Sequence, residues 1–100
     1  MIDQVTSKNG LSIRLTAERW AHIAEEHGEL ASLRAEVLET VSGPERILAG
    51  SNEELLAVRE IEPGKHLVVV YREWTDDGFI ITAFVTRRRR SLARREQRWP

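Results

Sequence analysis

Cysteine is absent from this chain of 100 residues, and its absence removes several classes of protein from consideration. Without cysteine there is no disulfide scaffold, no thiolate metal site and no cysteine nucleophile. The sequence also lacks a run of about 18 apolar residues, which a membrane span requires; its longest apolar run, residues 79–85, is interrupted by Thr82. The first four residues lack the basic and then apolar pattern of a secretory signal. We therefore expect a soluble cytoplasmic protein that does not enter a membrane.

Charged residues are abundant, and they are unevenly distributed along the chain. They make up 31% of the sequence and hydrophobic residues 41%, a balance typical of one globular domain. Residues 1–86 hold eight lysines and arginines against fifteen acidic residues, a net charge of −7, whereas residues 87–100 hold seven arginines against Glu96, a net charge of +6. We expect residues 1–86 to form a single domain and residues 87–100 to form an arginine-rich C-terminal tail. Such a tail suits a polyanion or an acidic protein, although it can also lie on its own acidic body or be a solvated end.

The apolar periodicity changes from helical to extended near the middle of the sequence. Thr16 is a suitable N-cap for a first helix that ends near His27. A second helical stripe covers residues 30–41 and stops before Pro44. Extended segments are predicted over residues 12–15, 46–49, 55–61, 65–74 and 79–86. The predicted fold is an α+β domain in which two N-terminal helices pack on one face of a four-stranded, mostly antiparallel sheet, with a short extra strand at the N-terminus.

Alternation along the last two predicted strands indicates which side chains share a face of the sheet. A three-residue loop at residues 76–78 would place Arg72 opposite Thr82, on the face that also carries His66. A two-residue turn would shift the register by one and place Glu73 opposite Thr82 instead. We favour the first register, because it gathers apolar residues under the helices. The helix-covered face then takes Phe79, Ile81, Ala83 and Val85, and the opposite face takes His66, Val68, Val70, Arg72, Ile80, Thr82, Phe84, Thr86 and Arg88.

Several kinds of active site find no support in the sequence. No serine lies in a Gly-x-Ser-x-Gly setting, and no glycine-rich loop of the phosphate-binding kind is present. His22 and His27 lie five residues apart, about 140° around a helix, and therefore diverge. The zinc protease signature instead has its two histidines on one face of the helix. Together with the lack of cysteine, this spacing predicts no metal site, and we expect no cofactor.

General acid–base chemistry is better supported, because histidine gives and takes protons near neutral pH. Cleavage of RNA by attack of a ribose 2′-hydroxyl needs a base, an acid and cations that stabilise the charge developing on the phosphate. The candidate catalytic residues are His22, His27, Arg72, Thr82 and Thr86. The candidate RNA-binding residues are Arg46, Arg59, Lys65, His66, Arg87, Arg88, Arg89 and Arg90.

The candidate residues also have purely structural interpretations. His27 can pack on the apolar face of its helix or interact with the helix dipole, and His22, which lies off that face, can be a surface residue. Thr82 is an ordinary strand-forming residue, and Arg72 can form a cross-strand ion pair. Trp74, next to the predicted turn, is a candidate for stacking on a nucleic-acid base.

Several short segments of this chain resemble a group of small bacterial proteins. The matching segments are Leu15-Thr16, His22-Ile23, His27 with Glu29, Pro44, Ile47 and residues 67–71 and 79–84. We associate those proteins with the phage-linked branch of the barnase–EndoU–colicin–RelE superfold of ribonucleases and toxins. The resemblance covers residues 11–86, and Gly28 stands where the family has proline. It implies helices on a four-stranded antiparallel sheet and RNA cleavage without metal.

These observations lead to three hypotheses about function. The first, implied by the resemblance, is a metal-independent endoribonuclease of the toxin type that cleaves tRNA or mRNA and is held in check by a cognate inhibitor protein. By position, the resemblance assigns roles to a helix histidine, His22 or His27, and to the strand threonines Thr82 and Thr86. The second is a non-catalytic protein-binding module, antitoxin-like or phage-accessory, that uses the arginine-rich tail. The third is an RNA-binding module without cleavage.

Overall fold

Three α-helices and seven strands make up this computed structural model, which describes residues 2–75 and 78–100. The strands are β1 (Ile2–Thr6), β2 (Ser12–Thr16), β3 (Arg46–Ala49), β4 (Leu55–Glu62), β5 (Lys65–Arg72), β6 (Gly78–Thr86) and β7 (Gln97–Trp99). The helices are α1 (Ala17–Glu26), α2 (Arg34–Ser42) and α3 (Arg89–Ala93), with a 3-10 turn at Gly28–Leu30. The α+β class agrees with the prediction. The prediction of a four-stranded sheet under two helices is wrong.

The strands of the described residues form one sheet, in the order β1-β2-β6-β5-β4-β3-β7. Neighbouring strands are antiparallel, except that β2 and β6 run parallel over two residue pairs. The sheet is wider than predicted because β1 and β7 extend its two sides. Both are polar segments with weak alternation, and they join the sheet through backbone hydrogen bonds that almost any residue can form. An ion pair between Asp3 of β1 and Arg34 of α2, 2.6 Å long, connects the first edge strand to a helix.

The first helix begins where the sequence predicts it. The hydroxyl of Thr16 accepts a hydrogen bond from the backbone N–H of Arg19 at 3.0 Å and so caps α1. The second helix is shorter than the predicted residues 30–41. Leu30 packs into the core from the 3-10 turn, and α2 begins only at Arg34. The 3-10 turn therefore holds Leu30 apart from α2, although the apolar stripe over residues 30–41 shows no break there.

The two faces of the sheet carry separate hydrophobic cores. The larger core lies under α1 and α2, on what we call the helical face, and consists of Ile13, Leu15, Ile23, Leu30, Val37, Val41, Ala57, Leu67, Val69, Tyr71, Ile80 and Ala83. The smaller core lies on the opposite face, which we call the α3 face, and consists of Leu48, Leu56, Val58, Val68 and Leu92, with Val70 and Phe84 partly buried against it. Leu92 belongs to α3 and is 4% exposed. An apolar side chain thus anchors the arginine-rich segment to the sheet.

Strands β5 and β6 pair in a register that neither predicted turn produces. Val70 pairs with Thr82, whereas Arg72 pairs with Phe79. A β-bulge between these two pairs leaves Ile81 as an extra residue of β6. The prediction that Arg72 lies opposite Thr82 is therefore wrong, and so is the alternative with a two-residue turn.

The bulge also changes which face the first residues of β6 present. Ile80 lies opposite Tyr71 in the larger core, although alternation predicts it on the other face. One inserted residue reverses the alternation, so the error is confined to one side of the bulge. On the other side of the bulge, His66 pairs with Thr86. The prediction that these two residues share a face of the sheet is therefore confirmed. The predicted loop includes residues 76–77, which lie outside the described residues.

Tyr71 is the only tyrosine in the sequence, and its buried hydroxyl has no hydrogen-bond partner among the described residues. Burial, and to a lesser extent the charge of Glu73, raises the pKa of this phenol above its ordinary value. An unfolded tyrosine ionises near pH 10. Above that pH the unfolded chain loses a proton that the folded chain keeps, so the free energy of unfolding falls as the pH rises.

We expect Tyr71→Phe to increase the free energy of unfolding by about 1–2 kcal/mol near pH 7, because it removes a buried hydroxyl that has no partner. It should also reduce the loss of stability above about pH 10. Urea unfolding of both proteins at neutral and at alkaline pH measures the two effects. A phenylalanine variant less stable than the parent at neutral pH would contradict the prediction, because it would mean that the hydroxyl makes a stabilising contact.

Candidate functional site

An open cavity of about 1070 Å³ lies between α3 and the strands of the α3 face. Its lining residues are Glu45, Arg46, Glu60, His66, Arg87, Arg88, Arg89, Arg90, Ser91, Ala93 and Arg94. Six of these residues are arginines and two are glutamates, so the lining has a formal charge of +4 when His66 is neutral. We call it the arginine cavity. A concave site with this excess of guanidinium groups suits an anion that carries several oxygens.

Contacts at both ends of α3 hold these arginines over the sheet. Before the helix, the backbone N–H of Arg88 donates to the Thr86 hydroxyl at 3.0 Å. After it, the backbone N–H of Ala49 donates to the Glu96 carbonyl at 2.8 Å, and β7 then pairs with β3. Between these two ends, Leu92 of α3 packs into the smaller core. Packing and backbone pairing therefore concentrate arginines whose mutual repulsion would otherwise spread them apart.

The arginines beside and within α3 are largely free to meet a ligand. Arg88, Arg89 and Arg90 are exposed, and none of them forms an ion pair with another residue in the described part of the chain. Arg87 makes a single long hydrogen bond, from its Nη1 to the Pro63 carbonyl at 3.4 Å. Glu45 and Glu60 in the lining and Glu62 near Arg87 therefore offset only part of the positive charge, and no described carboxylate pairs with Arg88, Arg89 or Arg90.

His66 contributes the imidazole of the arginine cavity. It is 8% exposed, and it follows the turn that joins β4 to β5. Its Nε2 lies 3.9 Å from Glu60 Oε2, too far for a hydrogen bond, and its buried Nδ1 has no partner among the described residues. Glu60 instead accepts a hydrogen bond from the backbone N–H of Gly64 at 2.8 Å. The structure thus places a histidine with little protein hydrogen bonding beside the arginines.

Phe84 of β6 lies close to His27 and between the two strand threonines. Thr82 and Thr86 flank Phe84 on the α3 face, and all three are partly exposed. The ring of His27 lies 6.5 Å from that of Phe84, centroid to centroid, at an angle of 41°. Its Nδ1 is 3.8 Å from Glu29 Oε1. Thr86, two residues further along β6, pairs with His66. His27 therefore lies beside the part of β6 next to His66, although it does not line the arginine cavity itself.

None of the five predicted catalytic residues lines the arginine cavity, and two of them lie well apart from it. His22 is exposed on α1, and its Nε2 lies 3.1 Å from Glu26 Oε1. Arg72 lies at the opposite end of β5 from His66, and its Nη2 donates to the Asn52 carbonyl at 2.9 Å. The structure therefore separates both residues from the group of arginines.

Arg59 and Lys65, predicted to bind RNA, line a different cavity of about 640 Å³. Five glutamates, Glu29, Glu36, Glu45, Glu60 and Glu62, contribute to that lining. Arg59 lies 3.6 Å from Glu39, and Lys65 Nζ lies 3.0 Å from Glu62. The hydrogen bond and the charge of Lys65 hold the pKa of the Glu62 carboxyl below its ordinary value. Both cations are thus engaged by carboxylates.

The arginine cavity also contains residues that the sequence did not single out. Glu45 and Glu60 are two acidic residues among many in the sequence. Glu60 pairs with His66 across β4 and β5, and Glu45 accepts a hydrogen bond from the backbone N–H of Glu60 at 2.9 Å. Arg94 is one of several arginines of the tail, and nothing in the local sequence distinguishes it from the others. Two large apolar residues of that segment, Leu92 and Trp99, could have indicated that it packs on the domain, because a solvated tail seldom contains such residues.

No helix within residues 2–75 and 78–100 is long and apolar enough to cross a membrane. The same residues contain no group of three or more histidine and acidic side chains that could hold a metal ion. Comparisons with family models, with curated proteins and with solved structures found no match.

Proposed function

We propose that this protein is a metal-independent endoribonuclease whose arginine cavity binds the phosphates of RNA. The observation that carries the proposal is the convergence of six arginines and His66 on one cavity. A guanidinium group can bind two phosphate oxygens at once, and three of these arginines have no competing ion pair among the described residues. The resemblance of the histidine-bearing helix to ribonucleases and toxins of the barnase–EndoU–colicin–RelE superfold supports the same activity.

In this proposal the cleavage uses histidines for proton transfer. A base removes the proton of a ribose 2′-hydroxyl, O2′ attacks the adjacent phosphorus, and the P–O5′ bond breaks as an acid protonates the leaving O5′. The products are a 2′,3′-cyclic phosphate and a 5′-hydroxyl. We assign these roles to His66, which lines the cavity, and to His27, which lies beside Phe84 on the neighbouring part of β6. The arginines would stabilise the negative charge that develops on the phosphate.

Incubation of the purified protein with a labelled single-stranded RNA in excess EDTA tests this proposal. We expect fragments that end in 2′,3′-cyclic phosphate and 5′-hydroxyl, which mass spectrometry identifies. The same sequence built from 2′-deoxyribose should remain intact, because it lacks the attacking hydroxyl. Fragments with 5′-phosphate ends, or cleavage that requires an added divalent ion, would contradict the mechanism.

Binding is measured separately, with 2′-O-methyl RNA that has no free 2′-hydroxyl. Tight binding of this strand without cleavage of ordinary RNA would refute the nuclease and leave an RNA-binding module. Failure to bind any RNA would refute both. The exposed arginines would then favour an acidic protein partner, the alternative that the charge distribution also allows.

A further inference from the structure

The end of β5 opposite the arginine cavity leads to an exposed aromatic side chain. Trp74 is 53% exposed, the highest value for a large hydrophobic residue in the described part of the chain. Its ring meets that of Phe79 nearly edge to face, with centroids 5.5 Å apart and an angle of 79°. The guanidinium carbon of Arg72 lies 5.8 Å from the centroid of the Trp74 ring. Neighbouring side chains thus support the indole while about half of the residue stays in water.

Trp74 and the arginine cavity lie at two ends of one surface. On β5, His66 and Arg72 both belong to the α3 face and are six residues apart, about 20 Å along a strand. Between these ends, Thr82 and Phe84 of β6 are partly exposed on the same face. A continuous strip of hydroxyl, apolar and aromatic groups therefore leads from the arginines toward the indole.

Two glutamates near Trp74 in the described part of the chain, Glu54 and Glu73, accept hydrogen bonds from other groups. Glu54 accepts hydrogen bonds at 2.8 Å from two backbone N–H groups of its own turn, and its Oε2 lies 3.6 Å from Arg72 Nη2. Glu73 accepts hydrogen bonds from side chains of the turn between β1 and β2. The charge of Arg72 offsets part of the charge of Glu54 and so reduces the repulsion that a phosphate chain would meet there.

We infer that the α3 face binds single-stranded RNA, with phosphates at the arginine cavity and an unpaired base stacked on Trp74. The inference rests on the proposed function and specifies its substrate as unpaired rather than duplex RNA. Every base has a π face, so an exposed indole can stack on a base of any sequence. A duplex keeps its bases within its own stack and offers none to the indole. The arginines alone would bind either form, and Trp74 is the residue that distinguishes them.

Fluorescence anisotropy with a short 2′-O-methyl single strand tests the stacking apart from cleavage. We expect Trp74→Ala to weaken binding about tenfold without changing its salt dependence, because stacking contributes no charge. Trp74→Phe should recover most of the affinity, since phenylalanine retains an aromatic face. Inorganic polyphosphate, which has charge but no base, should bind the alanine variant as tightly as it binds the parent.

Arg88→Ala is the complementary variant, because it removes charge but no aromatic surface. It should weaken the binding of both the single strand and polyphosphate. The inference is overturned if Trp74→Ala binds the single strand like the parent, or if a duplex of the same sequence binds as tightly. A parent that binds neither strand nor polyphosphate overturns the proposed function itself, so the two failures are distinguishable.

Discussion

Replacement of His66 by asparagine should lower the rate of RNA cleavage by about 100-fold or more, because it removes a group proposed to transfer a proton. Asparagine retains a polar side chain in this nearly buried position but does not titrate near neutral pH. Single-turnover cleavage measures the rate, and anisotropy with 2′-O-methyl RNA measures the affinity. We expect the affinity to remain within about threefold of that of the parent, because the six arginines stay in place.

The same substitution at the two helix histidines tests the assignment of His27. His27 lies beside Phe84, two residues along β6 from Thr86, the partner of His66, whereas His22 is exposed beside Glu26. We therefore expect His27→Asn to reduce cleavage and His22→Asn to retain most of it. Circular dichroism of each variant confirms that the fold is intact. Full activity in a folded His66→Asn protein would refute the proposed role of His66, and a loss only at His22 would refute the assignment of His27.

Alanine at Gly78 should decrease the free energy of unfolding by about 3 kcal/mol, because the side chain would enter a space already filled by neighbouring strands. Gly78 is the first residue of β6 and pairs with Ile13 of β2. A Cβ there would lie 2.8 Å from the Ser12 carbonyl oxygen and 3.2 Å from the Arg72 carbonyl oxygen, and it would also contact the Ile13 side chain. Backbone oxygens of a sheet cannot move aside without disturbing their own hydrogen bonds.

Gly28→Ala is the matched control for that substitution. A Cβ at Gly28 would meet no atom within 4 Å, and the residue begins a 3-10 turn. We expect this variant to equal the parent or to be more stable by up to about 1 kcal/mol, because alanine restricts the unfolded chain. Urea unfolding of the parent and both variants gives the comparison. A Gly78→Ala protein as stable as the parent would show that β2 and β6 do not approach this closely.

Much of the secondary structure could be predicted because its causes are local. The N-cap at Thr16 depends on residues within one helical turn, and it was predicted correctly. The predicted strand at residues 46–49 agrees with β3, and the strands at β4, β5 and β6 differ from their predictions by one or two residues at one end. The edge strands β1 and β7 were missed, since their polar sequences carry no pattern that alternation detects.

The register between β5 and β6 depended on a feature that alternation cannot detect. The bulge at Ile81 allows Ile80 to enter the larger core while Thr82 stays on the α3 face. Simple alternation assigns both residues to one face and so predicts a different partner for Arg72. Packing on the two faces of the sheet favours the bulge, and that preference exists only once the strands have come together.

The candidate site shows the same division between local and long-range causes. The excess of arginine after residue 86 and the isolated polar residues of β6 are visible in the sequence, because composition and alternation require no partner. The arginine cavity requires Arg46, His66 and Arg94 to meet from three separated parts of the chain. Leu92 and the pairing of β7 with β3 bring them together. Burial and backbone pairing between distant residues determine that meeting, and no local pattern encodes either.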